Sequence, residues 1–326
     1  MNNPNPSEPA DDRPAPDLDA ADPGLAAVQS ERRHLINLAY RLLGSLADAE
    51  DVVQEAYVRW YAMSPRQQAA IESPGAWLTR VAGRICLDQL RSARARRESY
   101  VGEWIPEPLP DRTEWPAGGP GGGTADPVDP ADRVTLDESV NMAFLVVLDS
   151  MTPAERVAFI LHDVFRYSFA EVAEIVGRTP AACRQLASSA RRRMRASPAP
   201  AAAPTPAARR ADLVRDFKRA WEAKDIGALI GLLDPDASAL ADGGGLAAAA
   251  PHPIAGGDQI AHYLVSLTDR LTGQTLLERT VNGQPGLVIQ QAGVTVSVLA
   301  FDFADNRITH LWAVRNPEKL RPWTRG

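Results

Sequence analysis

The chain has 326 residues, too many for one ordinary hydrophobic core, so two or three domains are expected. Its two cysteines, Cys86 and Cys183, lie far apart and have no partner at metal-ligand spacing, which argues against a disulfide framework and a structural metal site. The net charge of -6 does not exclude nucleic-acid binding, because arginines concentrate in residues 91–97 and 191–195 while the N-terminal stretch is acidic.

Residues 1–24 predict a disordered tail. The segment is rich in Pro, Asp and Ala and has few large apolar side chains, so it cannot bury enough surface to offset the entropy lost on ordering. No hydrophobic signal segment opens the chain, and no run approaches the roughly 20 apolar residues of a membrane span. We therefore expect a cytoplasmic protein without a membrane partner.

Residues 25–98 predict several amphipathic helices. Apolar residues such as Leu38 and Leu42 recur at intervals of three and four, the period of one helix face. Ser73 and Pro74 supply an N-cap and a first-turn proline for a further helix that ends in arginines. This part of the chain is expected to form a helical bundle.

The composition of the chain predicts two linkers. Residues 99–133 are rich in Pro and Gly, so regular structure is expected to stop there. Helical periodicity returns over residues 134–196 and predicts four helices. Residues 197–208 alternate Ala and Pro, which is typical of a semi-rigid spacer.

The end of the second helical body predicts a helix-turn-helix. Ser168 opens a short helix that ends at Gly177, and Thr179 with Pro180 opens the next one. The exposed side of that second helix would offer groups able to contact base edges and phosphates. These residues are Arg184, Gln185, Ser188, Ser189, Arg191 and Arg192. A plain helical hairpin with a solvated arginine face is the alternative.

Residues 209–326 predict an α+β domain. Helical patterns near 211–223, 227–233 and 258–271 are followed by four strand-like runs, separated by turn signals such as Asn282-Gly283. An antiparallel sheet beside helices is expected.

This order of elements resembles the extracytoplasmic-function sigma factors of the sigma-70 family. Two helical bodies joined by a linker, the second ending in a helix-turn-helix, are similar to regions 2 and 4 of that family. Residues 44–61, GSLADAEDVVQEAYVRWY, are similar to region 2.2, which implies docking on the β′ clamp helices of core RNA polymerase. The polar residues implied in this docking are Asp48, Glu50, Asp51, Gln54 and Glu55. Without the resemblance, a solvated acidic face is favoured.

Residues 74–97, PGAWLTRVAGRICLDQLRSARARR, are similar to the next helix of the family, which implies contact with the minus-10 promoter element. The matching positions are Asp88, Gln89, Arg91 and Arg94. The helix-turn-helix would then read the minus-35 element. A solubilising, dipole-compatible helix end is the alternative for the arginines.

A finer resemblance is to sigma factors that carry a fused SnoaL-like domain, a cone-shaped α+β fold related to nuclear transport factor 2. Three strings carry it: WIPEP at 104–108, DGGG at 242–245 and NPEKL at 316–320. The interdomain residues that it implies are Trp104, Pro106, Glu107, Pro108, Asp242, Gly243, Gly244, Gly245, Asn316 and Pro317. In that group the Asp-Gly-Gly-Gly motif is usually followed by lysine, whereas Leu246 follows it here, which argues against a role that needs a cation at that position.

The resemblance implies a promoter-recognition subunit whose partners are core RNA polymerase, including its β subunit, and promoter DNA. It implies regulation in cis by residues 209–326, of either sign, with no cofactor, no metal, no catalytic residue and no dedicated anti-sigma factor. Two rivals stay open: a ligand-gated helix-turn-helix repressor, and a catalytic SnoaL-like domain. The groups available for catalysis are His252, His262, His310 and Asp302, and the domain's pocket is a candidate for a small-molecule ligand.

Overall fold

The computed structural model describes residues 23–97, 100–110, 141–196, 205–267 and 273–324. The predicted N-terminal tail and most of both predicted linkers lie outside these residues. Among the helices in the described ranges, none is long and apolar enough to cross a membrane.

The first helical body contains four helices. They are α1 (Pro23–Leu43), α2 (Leu46–Tyr61), α3 (Pro65–Ala69) and α4 (Pro74–Arg97). Ser45 caps α2 by accepting a hydrogen bond from the backbone of Asp48, which satisfies one of the free N–H groups at the helix start. The periodic Leu38 and Leu42 are fully buried, so the predicted amphipathic bundle is confirmed.

In the described residues 141–196, the second helical body contains four helices. They are α5 (Met142–Asp149), α6 (Pro153–Phe159) with a π-helical continuation (Ile160–Val164), α7 (Phe169–Val176) and α8 (Pro180–Ala196). Ser168 and Glu171 form a capping box at the start of α7, and Gly177 ends it in the left-handed conformation with φ 71°. The helix-turn-helix prediction is confirmed.

The two helical bodies, which a linker separates in the sequence, pack against each other and share one hydrophobic core. Tyr167 donates a hydrogen bond of 3.1 Å to the buried hydroxyl of Thr79. Arg84 donates one of 2.8 Å to the carbonyl oxygen of Glu174. A Cβ on Gly83 would lie 2.9 Å from Ile175, so α4 and α7 touch closely.

The C-terminal domain is an α+β unit. It contains α9 (Ala207–Glu222), α10 (Ile226–Leu232), β1 (Leu233–Asp242), β2 (Ile254–Ala255), α11 (Gly257–Leu267), β3 (Gln274–Val281), β4 (Gln284–Gln291), β5 (Val294–Ala304), β6 (Arg307–Val314) and α12 (Arg321–Thr324). The strand order is β2-β1-β6-β5-β4-β3, with β1 and β6 parallel and the other neighbours antiparallel. The four predicted strand runs are confirmed, whereas β1 and the two-residue β2 were not predicted. The expected antiparallel sheet is wrong in one place, because β1 pairs with β6 in parallel.

The two faces of this sheet have different partners. One face carries a core of apolar side chains that packs on the domain's own helices, with Phe217 of α9 against Phe301 of β5. The other face, which includes Trp312, buries Ile105 of the linker and Met142 of α5. The C-terminal domain therefore contacts both the linker and the second helical body.

Candidate functional site

The linker segment, defined here as residues 100–110, lies between the first helical body and the C-terminal domain. On the side of the C-terminal domain, its contacts converge on Asp242 at the end of β1, a fully buried residue. One carboxylate oxygen accepts hydrogen bonds from the Tyr100 hydroxyl at 2.6 Å and the Gly244 N–H at 3.0 Å. The other accepts from the Ile105 N–H at 3.0 Å and the Lys319 ammonium at 2.6 Å. Four donors thus satisfy one buried carboxylate.

Lys319 supplies the cation of this cluster. Its ammonium also donates to the Ile105 carbonyl oxygen at 2.6 Å and lies 4.2 Å from the centroid of the Trp104 ring, a cation–π contact. Leu246, which follows the glycine motif, is 63% exposed. Position 246 therefore supplies no cation, and the C-terminal segment supplies one from a different position, Lys319. Sequence reasoning quoted Lys319 within its motif but did not assign it to the site.

The glycine motif makes a tight turn against the C-terminal segment. Gly244 has φ 60°, and a Cβ there would lie 2.3 Å from the side-chain nitrogen of Asn316. A Cβ on Gly243 would lie 2.0 Å from the carbonyl oxygen of Ala247. Asn316 in turn donates to the Tyr100 hydroxyl at 3.0 Å. Burial and the hydrogen bond to the neighbouring carboxylate raise the pKa of Tyr100 above its ordinary value.

The remaining predicted interdomain residues divide into two groups. Pro106 and Pro108 are buried in the linker segment, and the Pro108 carbonyl oxygen accepts a hydrogen bond of 2.8 Å from the indole N–H of Trp323. Gly245 and Pro317 are exposed at the rim. Most of the predicted interdomain residues are therefore brought together at one interface.

On its other side, the linker segment binds the first helical body. The Glu107 N–H donates to the Gly44 carbonyl oxygen at 2.8 Å, and the Glu107 carboxyl accepts from the Leu46 N–H at 2.8 Å. The Tyr40 hydroxyl donates to the Glu107 carbonyl oxygen at 2.7 Å and accepts from the side chain of Asn282 at 2.8 Å. Asn282, which sequence reasoning used only as a turn signal, links the β3–β4 turn directly to α1.

The acidic face of α2 is open to solvent. Its five predicted docking residues are Asp48, Glu50, Asp51, Gln54 and Glu55, and all are exposed. The same helix exposes two large apolar side chains, Val58 at 62% and Tyr61 at 53%, which sequence reasoning did not assign. An apolar patch beside acidic groups is typical of a protein-binding surface.

The distal end of α4 carries the predicted minus-10 residues. Asp88 and Arg91 are exposed and form an ion pair of 3.2 Å, while Gln89 is half-buried. The side chain of Arg94 lies outside the described residues.

On α8, the predicted set divides into exposed and half-buried residues. Arg184, Gln185, Ser188 and Arg192 are exposed and line an open groove of about 760 Å³, which Ser189 also lines. Ser189 and Arg191 are half-buried. The Ser189 hydroxyl donates to Glu155 at 2.6 Å, and the Arg191 guanidinium donates to Asp163 at 2.7 Å. Arg178, in the turn, lines the groove and was not predicted.

The candidate catalytic groups of the C-terminal domain do not meet inside its cone. His310 and Asp302 are cross-strand neighbours with nitrogen and oxygen 3.9 Å apart, and the His310 ring stacks on Trp312, which belongs to the face covered by the linker. His252 and His262 are exposed. In the part of the chain that the structure describes, no group of three His, Cys, Asp or Glu residues could hold a metal ion.

Comparisons with known proteins agree with this geometry. The family model for sigma-70 region 2 matches residues 27–96, and the model for sigma-70 region 4 matches residues 141–194. The sigma factor SigJ of Mycobacterium tuberculosis is 38% identical over 308 residues, covering 91% of this chain and 93% of SigJ. The chain belongs to the extracytoplasmic-function sigma factors. It is therefore a sigma subunit of RNA polymerase that acts in transcription initiation, and the repressor alternative is not favoured.

One further relative and one solved structure also correspond to this chain over most of its length. The probable sigma factor SigI of Mycobacterium tuberculosis is 33% identical over 301 residues, covering 92% of this chain and 96% of SigI. The crystal structure of SigJ superimposes with a TM-score of 0.68 at 32% identity, covering 91% of this chain and 98% of that one. From here on, α1–α4 of this sigma factor are called region 2, α5–α8 region 4, and residues 209–326 the SnoaL-like domain.

Proposed function

We propose that this sigma factor initiates transcription under the control of its own SnoaL-like domain, which holds regions 2 and 4 in a closed arrangement. The observation that carries the proposal is the linker segment, which is bound by the SnoaL-like domain through Asp242 and by region 2 through Glu107. The same sheet also packs on Met142 of region 4. One domain thus touches every part that has to move for promoter binding.

The distance between the two DNA-reading faces supports the view that the SnoaL-like domain inhibits promoter binding. By their names, the minus-10 and minus-35 positions are about 25 base pairs apart, which is roughly 85 Å of straight duplex at about 3.4 Å per base pair. Arg84, one helical turn from Asp88, hydrogen-bonds Glu174, ten residues before Arg184. Helix rise and chain length then place the backbones of Asp88 and Arg184 at most roughly 55 Å apart. The closed arrangement is too short to read both elements together.

Each surface has a proposed partner. The acidic face of α2, extended by Val58 and Tyr61, would dock on the β′ clamp helices, and region 4 would meet the β subunit. The end of α4 would contact the minus-10 element through Asp88, Gln89, Arg91 and Arg94. The open face of α8 would read the minus-35 element through Arg184, Gln185, Ser188, Ser189 and Arg192, while Arg191 is held by its ion pair with Asp163.

A covalently attached regulatory domain needs no separate inhibitor, since tethering gives it a high effective concentration. We therefore propose that this sigma factor works in the cytoplasm without a dedicated anti-sigma factor. Catalysis by the SnoaL-like domain is not part of the proposal, because its inner face is packed with apolar side chains such as Phe217 and Phe301. A small-molecule ligand remains a candidate signal for release.

Promoter-specific transcription with core RNA polymerase tests the proposal. We expect the Trp104→Ala variant, which removes the ring under Lys319, and a truncation after residue 208 to produce more transcript than the full-length chain at limiting sigma concentration. Val294→Ala is the matched control, because Val294 is an exposed apolar residue of β5. Identical activity of the full-length, truncated and Trp104→Ala proteins would sink the regulatory proposal, while loss of core binding would point to a structural role for the domain.

A further inference from the structure

The Glu107 carboxyl occupies a position that connects linker docking to the polymerase-binding helix. It is 4% exposed and accepts a hydrogen bond from the N–H of Leu46, the first residue of α2. The N-cap of that helix, Ser45, also bonds the carboxyl through its hydroxyl. A residue of the linker thus completes the N-terminal cap of the helix that carries the proposed clamp-binding face.

Groups from three elements face this carboxyl. From α1 comes Tyr40, whose hydroxyl binds the Glu107 carbonyl oxygen. From α2 comes Asp48, whose negative charge disfavours a second one nearby, and from the C-terminal segment comes Lys319, whose positive charge favours ionisation. Lys319 itself is engaged by Asp242 at 2.6 Å.

Burial outweighs the favourable contacts. Desolvation is the largest effect, opposed by the Leu46 N–H, the Ser45 hydroxyl and Lys319, and together they raise the pKa of Glu107 to about 7. A neutral carboxylic acid fits the site, since one oxygen can keep accepting from Leu46 while the acid proton is donated to the hydroxyl of Ser45.

We propose that Glu107 is a proton-sensitive latch, so that the linker segment docks on region 2 most firmly when this carboxyl is neutral and loosens when it ionises. The inference refines the proposed function by naming a signal, proton concentration, for the release of the linker. It concerns docking alone and stands or falls separately from the effect of docking on transcription.

The direction of the pH effect follows from the coupling between proton binding and linker docking. In a released linker Glu107 has an ordinary pKa near 4.5, whereas the docked form holds its proton up to about pH 7. Docking is therefore strongest in mild acid and weakens as the pH rises through 7. Between pH 6 and pH 8.5 the ratio of docked to released linker should fall about tenfold.

Fluorescence energy transfer in the full-length chain measures this ratio. Dyes on Glu72→Cys of region 2 and Gln259→Cys of the SnoaL-like domain use exposed positions, while the native Cys86 and Cys183 are fully buried. We expect the released population to rise about tenfold from pH 6 to pH 8.5. In a Glu107→Gln background, which keeps an oxygen acceptor but cannot ionise, the population should be constant over that range.

Glu103→Gln, in the same linker segment, is the matched control and should keep the full pH response. Equal pH responses of the parent and Glu107→Gln proteins would overturn the latch. If Glu107→Gln does not fold, carbon-13 NMR of the glutamate carboxyls in the unsubstituted protein decides instead, and no carboxyl titrating near pH 7 would contradict the proposal. Because neither measurement includes polymerase or DNA, a pH-dependent latch without any effect on transcription would refute only the proposed function.

Discussion

The two sides of the linker segment are bound by different chemistry. Toward the SnoaL-like domain, the fully buried Asp242 is neutralised by the Lys319 ammonium at 2.6 Å and by three further donors. Toward region 2, the contacts run through backbone groups of Gly44 and Leu46 and through a single carboxyl, Glu107, whose hydrogen-bond donors are uncharged.

This difference suggests that the linker segment is held firmly on one side and can dissociate on the other. Breaking a buried ion pair strands a charge in a low-dielectric environment. A lone buried carboxyl changes its charge near neutral pH and costs little to release once ionised. We infer that the linker segment stays with the SnoaL-like domain and separates from region 2.

The largest effect is expected from Asp242→Asn. The change keeps the shape of the side chain but removes the carboxylate that the Lys319 ammonium, only 11% exposed, contacts at 2.6 Å. Removing one partner of a buried pair costs about 3–5 kcal/mol. Hydrogen exchange of the linker amides, above all the Ile105 N–H, should therefore speed up by two or more orders of magnitude.

Asp258→Asn is the control for this substitution, because Asp258 is exposed at the start of α11. It should leave the exchange of the linker amides unchanged. Equal protection in the two variants would mean that the charge pair does not anchor the linker, and the comparison between the two sides would fail.

On the region 2 side, substitutions at two glycines can test the contact between Gly44 and the Trp104 ring. Gly44 has φ 74°, and a Cβ there would lie 2.8 Å from the Trp104 ring, whereas Gly102 has φ 87° and nothing within 4 Å of that position. Alanine strains the backbone similarly at both sites. The clash with Trp104 should cost Gly44→Ala about 1–3 kcal/mol of linker docking beyond any effect of Gly102→Ala.

Docking in both glycine variants can be read from the same energy-transfer pair as the latch. A larger released population in Gly44→Ala than in Gly102→Ala is the expected result. If the two variants behave alike, Trp104 does not rest on region 2 in solution, and the backbone contacts at Gly44 do not define that side of the linker.

Local signals predicted most of the fold, and the exception is informative. Ser168, Gly177 and Pro180 determine the helix-turn-helix through capping and backbone conformation, which are properties of short stretches. Strand β1 was missed because its sequence, LDPDASALAD, has little strand character. It becomes a strand through parallel pairing with β6, about 70 residues away, and no local pattern encodes that pairing.

The site was predictable as a set of motifs but not as a set of contacts. Helical periodicity placed Ser189 and Arg191 on the DNA-reading helix, yet it could not reveal that Glu155 of α6 and Asp163 of its π-helical continuation engage them. The family resemblance bore only on position 246, next to the glycine motif, because a sequence motif is linear. The fold brings Lys319 to Asp242 from 77 residues away.

The smallest effect is expected from Tyr40→Phe, which tests the hydrogen bond that joins region 2 directly to the β3–β4 turn in the described part of the chain. The hydroxyl joins the Glu107 carbonyl oxygen to the Asn282 side chain, and both partners are 4% exposed. Its loss should weaken docking by about 1 kcal/mol and increase the exchange rate of the Leu109 N–H, which donates to Asn282, roughly fivefold. Tyr61→Phe, on the exposed face of α2, should have no effect on that amide. An unchanged Leu109 exchange rate in Tyr40→Phe would mean that the Tyr40 hydroxyl does not contribute to docking of the linker segment on region 2. Ionisation of Glu107 would then account for the whole pH-dependent release of the linker.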